Sequence, residues 1–331
     1  MQIRLIFLRS TIGRDTRFYS LPANIKRSLT PFTSTSTVAS IGSLVWIPDN
    51  DPRAMIRFLE SADQSSSSPL PNQPGLRWED SVRMQPCAII IPCYNEEKRF
   101  PLDAFTEYAR AHPDIGFVLV NDGSKDGTVA MLRRAAAGLE DRVSVIDLVK
   151  NGGKAEAVRA GIMSALDAGN CRLVGFWDAD FATPLAHIED LAAVLHARPE
   201  IAMVFGARVK LLGRQIQRRA VRHYLGRIFA TFVSTLLRLA IYDTQCGAKI
   251  FRVTPEARQL FDQPFSSRWV FDVEIIARFI RQCGYDIAKV ESAIYEYPLM
   301  EWRDIDGSQV RPRDFFRAFF DVLKIHRTYG Q

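Results

Sequence analysis

Asp178 and Asp180 are separated by one residue in Trp177-Asp178-Ala179-Asp180, directly after the apolar run Leu173–Trp177. Two carboxylates that close repel unless a cation or a proton lies between them, and a divalent metal resolves the repulsion most simply. With oxygen ligands only and no His or Cys cluster nearby, the pair suits hard Mg²⁺ or Mn²⁺, completed by phosphate oxygens. The expected chemistry is therefore on a diphosphate. No GxxxxGK(S/T) loop and no GxGxxG fingerprint occurs in the chain, so P-loop ATP chemistry and the usual dinucleotide site lack support, and a nucleotide-sugar diphosphate remains.

Two further polar clusters follow apolar runs. Pro92-Cys93-Tyr94-Asn95-Glu96-Glu97 comes after Cys87–Ile91, and Asn121-Asp122-Gly123-Ser124-Lys125-Asp126-Gly127-Thr128 after Phe117–Val120. Taken singly, these are ordinary helix-start and turn residues, with Asp126 suited to cap a helix. Three such clusters at the ends of three runs place acids and a ring along one edge, which turn chemistry does not require.

The elements that must position them are short apolar runs alternating with longer amphipathic segments. Cys87–Ile91, Phe117–Val120, Val143–Leu148, Leu173–Trp177 and Ala202–Phe205 are expected as buried strands. Lys98–Ala111, Gly127–Ala137, Lys154–Ala168 and Ala186–His196 have helical length and composition. This alternation predicts an α/β fold with a mostly parallel sheet, whose ligands bind outside the carboxyl ends of the strands.

In this order, the Pro-x-Tyr-Asn-Glu-Glu, Asn-Asp-Gly-Ser-x-Asp-Gly-Thr, Asn151-Gly-Gly-Lys154 and Asp-Ala-Asp motifs resemble an inverting family 2 glycosyltransferase of GT-A fold. Asp243-Thr-Gln-Cys-Gly-Ala-Lys249, Arg268-Trp-Val-Phe-Asp272-Val-Glu274 and Trp302-x-x-Ile305-x-Gly307-Ser308 are similar to dolichyl-phosphate β-glucosyltransferases. The resemblance covers roughly residues 84–310. It implies hexosyl transfer, foremost of glucose from UDP-glucose, to a polyprenyl phosphate with inversion. Alternatives within the class are a GDP-mannose donor or a sugar-hydroxyl acceptor; outside it stand a sugar-phosphate nucleotidyltransferase and an inactive membrane-associated scaffold.

By that resemblance Pro92, Tyr94, Glu96 and Asp122 hold the nucleoside, Asp178 and Asp180 the metal, and Ala179 approaches the nucleotide through its backbone. Asn121 stands where relatives often carry a second Asp, and Ala182 where a metal-assisting Gln can occur. Lys154, at a Gly-rich helix start, suits an anion or a carbonyl-rich base, or is simply an exposed lysine. Arg208 matches an arginine that meets phosphates, and Lys249 is a second cation candidate. Asp272 and Glu274 stand where many family 2 enzymes carry a general base. A phosphomonoester acceptor, with a second pKa of about 6, is already largely ionised at neutral pH and relaxes that need.

Arg214, Arg218, Arg219, Arg222 and Arg227 crowd the start of a segment whose apolar residues Val221, Leu225, Ile228, Phe232, Leu236 and Leu239 recur at helical spacing. A basic amphipathic interfacial helix is expected there, with peripheral membrane contact through 214–241, and Arg311–Arg327 is a second basic-aromatic stretch. No run of 18 or more apolar residues occurs. Forty-three Lys and Arg against 37 Asp and Glu give a net charge of +6, which suits phosphates or anionic lipid but is too small to imply nucleic acid. Five widely spaced cysteines without a CxxC pair argue against a zinc site or disulfide framework and for a reducing compartment. The expected location is thus the cytoplasmic face of a membrane.

Residues 1–80 form a basic, Ser/Thr-rich extension and linker, and 81–331 the catalytic domain. Arg4, Arg9, Arg14, Arg17, Lys26 and Arg27, opposed only by Asp15, suit an organelle transit peptide, a basic tail or an over-extended start.

Overall fold

The computed structural model describes residues 86–217, 220–304 and 312–330. The N-terminal extension and linker, Arg218, Arg219, Ile305, Gly307 and Ser308 lie outside the described residues, as do the side chains of Val221 and Arg222.

The first half alternates strictly: β1 (Cys87–Cys93), α1 (Leu102–Ala111), β2 (Ile115–Asp122), α2 (Thr128–Ala136), β3 (Val143–Leu148), α3 (Lys154–Ala168), β4 (Leu173–Trp177), α4 (His187–Ala197) and β5 (Met203–Ala207). The second half is more varied, with β6 (Gln215–Gln217), α5 (Ala220–Leu237), β7 (Ala248–Arg252), α6 (Pro255–Asp262) and α7 (Phe271–Gln282). It ends with α8 (Ile287–Ala293), β8 (Ile294–Pro298), β9 (Glu301–Arg303) and α9 (Pro312–Tyr329). All five expected strands and four expected helices are present. The first helix starts at Leu102 rather than Lys98 because the N–H groups of Arg99 and Phe100 close a turn on the Glu96 carbonyl, at 3.0 and 2.9 Å, and Pro101 then sets the helix entry.

Seven strands form one sheet in the order β3-β2-β1-β4-β7-β5-β8. The β1–β2, β1–β4, β2–β3 and β5–β8 pairs are parallel, while β7 runs antiparallel to both β4 and β5. Central strands are apolar on both faces because helices cover both faces. Ile89 and Ile91 of β1 join Phe105, Leu132 and Leu191 in one core; Ile90 joins Val158, Phe229, Ile275 and Val322 in the other. The carboxyl ends of β1, β2, β4 and β5 therefore lie along one sheet edge, and reversed β7 brings its amino end to that same edge. There Trp177 pairs with Ala248.

The expected interfacial stripe is exposed on α5 at Leu225 and Ile228 but half-buried at Phe232 and Leu236. Phe229, Ala230, Val233 and Leu237 are the buried residues, while Leu225 and Ile228 are exposed at 40% and 59%. The cause is α9: Phe319 stands edge-on to Phe229, with ring centroids 5.4 Å apart, and also contacts Phe232 at 4.9 Å. Among the described residues no helix is long and apolar enough to cross a membrane.

Candidate functional site

Asp178 and Asp180 leave β4 at its carboxyl end, where the chain turns through Phe181 at φ +49°. Asp178 N–H donates to the Gly247 carbonyl at 3.1 Å, so β4 and the start of β7 close on each other. A Cβ on Gly247 would overlap the Asp178 carboxylate, which makes glycine a steric requirement there. Each acid has its own cation. Lys154 Nζ lies 2.6 Å from Asp178 Oδ1, and Arg99 Nη2 lies 3.5 Å from Asp180 Oδ2 while Nη1 reaches Glu96 at the same distance.

The electrostatics split the pair. Burial pushes the Asp178 carboxyl up, but Lys154, with Arg208 and Lys249, holds the group below the ordinary carboxylate range. Burial and the neighbouring Asp178 charge raise Asp180. Glu96 is pushed up to about 7, first by burial; Arg99 opposes, and Asp180, Asp178 and Asp126 add to the rise. Three acids crowd one edge, and beside Lys154 and Arg99 the Asp180 and Glu96 carboxyls are still raised by burial and by neighbouring carboxylates, an excess of negative charge left unrelieved. That excess fits a hard divalent cation held by two carboxylates and otherwise by ligand oxygens. Among the described residues no group of three or more His, Cys, Asp or Glu could hold a metal, so a ligand's oxygens would have to complete the shell.

At the end of β2 the Asp122 carboxylate is enclosed by the glycine-rich loop. Gly152 N–H donates to Oδ1 at 2.7 Å, and Gly153 N–H and Asn151 Nδ2 donate to Oδ2 at 2.9 Å. The loop leads into Lys154, whose ammonium also lies 5.9 Å from the ring centroids of Phe176 and Phe271. On the other side, Arg208 follows β5 and grips Asp243 through Nε at 2.6 Å and Nη2 at 2.7 Å. It also lies 5.3 Å from the Trp302 ring centroid. Asp243 is itself set by Glu296, which accepts from the Tyr242 and Asp243 N–H groups at 2.7 and 2.8 Å.

The profile of glycosyl transferase family 2 matches residues 88–256. A dolichyl-phosphate beta-glucosyltransferase of Drosophila melanogaster is 34% identical over 248 residues, 71% of this chain and 72% of its own length. Those of Mus musculus and Homo sapiens are each 36% identical, again covering 71% of this chain and 72% of theirs. The chain belongs to glycosyl transferase family 2. Among solved structures, glucosyl-3-phosphoglycerate synthase of Mycobacterium tuberculosis in complex with Mn²⁺ and UDP-glucose shares the fold. Its TM-score is 0.53 at 16% identity, covering 78% of this chain and 85% of that one. This glycosyltransferase thus has the expected GT-A architecture.

Within it, Glu96, Lys154, Asp178, Asp180 and Arg208 gather at one edge, with Ala179 buried between the acids and half-buried Pro92 and Tyr94 at the end of β1. Asp122 faces the loop, so its immediate partners are two backbone N–H groups and the Asn151 side-chain amide. Lys249 and Asp272 form a buried ion pair at 2.6 Å, with side chains 0% and 5% exposed. The Lys249 ammonium lies over the Phe176 and Phe205 rings and donates to the Cys246 carbonyl. Glu274 departs from the expected catalytic role. Fully buried, it accepts from Ser266 N–H and Arg278 Nη2 at 2.8 Å and from Tyr329 Oη at 3.1 Å, and so anchors α7 to the end of α9. Sequence reasoning missed Arg99 and Arg268. Arg268 stood inside a quoted motif, but its partners lie 116 and 117 residues away.

Proposed function

We propose that this glycosyltransferase moves glucose from UDP-glucose to a polyprenyl phosphate with inversion, using Mg²⁺ or Mn²⁺. The observation that carries the acceptor half is the state of the two α7 acids. A sugar-hydroxyl acceptor needs a base, whereas Asp272 is committed to Lys249 and Glu274 to Arg278, Ser266 and Tyr329. An acceptor that arrives ionised needs neither. The names of the relatives support the same acceptor and sugar.

Asp178 and Asp180 would hold the metal, which when bound neutralises charge on the diphosphate of the leaving nucleotide. The half-buried ring of Tyr94 offers a base a stacking surface, and Lys154 and Arg208 supply positive charge on either side of the acid pair. An acceptor phosphate oxygen forms the new bond to the anomeric carbon on the face opposite the departing UDP. As that bond forms, the glucose–diphosphate bond breaks and its electron pair leaves with UDP.

The acceptor is a lipid, and we place the enzyme peripherally on the cytoplasmic face of a membrane. Exposed Leu225 and Ile228 on α5 and exposed Phe320 and Leu323 on the packed neighbour α9 support this contact, and all five cysteines are free, as in a reducing compartment.

Incubating the purified chain with polyprenyl phosphate and either labelled UDP-glucose or labelled GDP-mannose tests the proposal. Label should enter the lipid from UDP-glucose only and vanish with a chelator. Asp180→Asn should lower turnover about a hundredfold or more, since even changes behind a ligand cost 10 to 100-fold. Transfer from GDP-mannose, or to a soluble sugar hydroxyl alone, would refute it.

A further inference from the structure

Arg268 lies outside the acid cluster, on the exposed segment between α6 and α7, yet it closes around the loop that precedes Lys154. Its Nε donates to the Gly152 carbonyl at 2.9 Å, and its Nη2 donates to the Asn151 carbonyl at 3.1 Å and to Asn151 Oδ1. Its own carbonyl accepts from Ala155 N–H at 3.3 Å, inside the first turn of α3.

A guanidinium has only donors. The Asn151 amide must therefore turn its oxygen to Arg268, which leaves its nitrogen facing Asp122, where it donates to Oδ2 and to the backbone carbonyl at 2.9 and 3.0 Å. Arg268 and Asp122 thus fix the amide from its two ends, and the arginine supports the enclosure of Asp122 through it. Gly153, at φ +89°, leaves no room for a side chain, because a Cβ would stand 2.7 Å from Arg268 Nε. The arginine's segment is itself fixed. Ser267 Oγ donates to Asp321 of α9 at 2.7 Å and accepts from the N–H groups of Trp269 and Val270 at 3.2 and 3.0 Å.

We propose that Arg268 is a positioning residue for the donor: it holds the Asn151–Gly153 loop in the form that delivers Lys154 to Asp178, without touching the nucleotide. The role in donor binding rests on the UDP-glucose reading above.

The test compares the full chain with Arg268→Ala and Arg268→Lys by amide hydrogen exchange, by calorimetric binding of UDP with Mn²⁺, and by steady-state kinetics. A charged hydrogen-bond set of this kind is strong enough for tenfold effects. In Arg268→Ala, exchange at Gly152 and Gly153 should accelerate about tenfold, and the UDP Kd and the KM for UDP-glucose should rise about tenfold. The kcat should stay within about threefold, and Arg268→Lys should recover part of each change. Unaltered exchange at Gly152 and Gly153 overturns the proposal. So does a loss of UDP affinity without faster exchange, because that pattern marks a direct contact with the nucleotide. Failure of the donor reading shows separately, as a wild-type chain that binds no UDP. The exchange comparison needs no ligand and still decides whether Arg268 holds the loop.

Discussion

Glu96 gathers the electrostatics of the site in one side chain. Its carboxyl is pushed up to about 7 by burial and by Asp180, Asp178 and Asp126, against the opposing pull of Arg99. In the folded protein the group therefore holds its proton at pH values where the unfolded chain, near 4.5, has lost it. Its contribution to stability is complete below the unfolded value and is lost as pH rises through about 7. Thermal melting of the metal-free protein, followed from pH 4.5 to 7.5 with a chelator present, should show this loss. Glu96→Gln cannot titrate and should melt about 3 °C or more above wild type at pH 7.5, while the two nearly coincide at pH 4.5. Parallel pH profiles for the two proteins would count against the raised carboxyl.

Among elements, the junction of β4 with β7 does the most for the site. Because β7 runs against its neighbours, Gly247 enters the sheet beside Asp178, and their spacing excludes even a methyl group. Gly247→Ala should rotate the Asp178 carboxylate away from Lys154, weaken Mn²⁺ binding measured by spin resonance, and lower turnover about tenfold or more. Unchanged Mn²⁺ affinity would show that Asp178 takes no part in holding the cation. The strands before β6 were legible because continuous apolar runs carry their own signal, and the bounds of α3 agree with the sequence expectation, Lys154–Ala168. β7 carries no such signal, since Ala248-Lys249-Ile250-Phe251-Arg252 places a lysine in a buried strand, where it pairs with Asp272 from another element. The setting of Glu274 is hidden in the sequence for a related reason. Its i+4 neighbour Arg278 and distant Tyr329 take up a carboxylate that a one-dimensional motif offers equally to a substrate. The clustering of Asp178, Asp180 and Glu96 was legible from strand ends, whereas the cations that meet them depend on tertiary approach.

At the scale of the whole molecule, the proposed membrane contact would bring the donor edge and a lipid acceptor to one surface through the packed pair α5 and α9. Leu225 and Ile228 on one helix and Phe320, 71% exposed, and Leu323 on the other are exposed apolar side chains, and the two helices are joined by the contacts of Phe319 with Phe229 and Phe232. Burial of such side chains contributes about 1.5–3 kcal/mol each when complete, so four of them partly inserted suffice for reversible attachment. The +6 net charge should add a salt-sensitive preference for anionic lipid, at about 1 kcal/mol per basic residue near the surface. In flotation assays the wild-type chain should follow vesicles containing anionic lipid, less so at high salt. A variant with Leu225, Ile228, Phe320 and Leu323 all changed to Ser should partition about tenfold less. Its affinity for UDP and Mn²⁺ should stay at the wild-type level, because none of the four side chains belongs to the acid cluster. Equal flotation of the two proteins would move the membrane contact elsewhere on the chain, while loss of both flotation and UDP binding would point to a damaged fold rather than a lost surface.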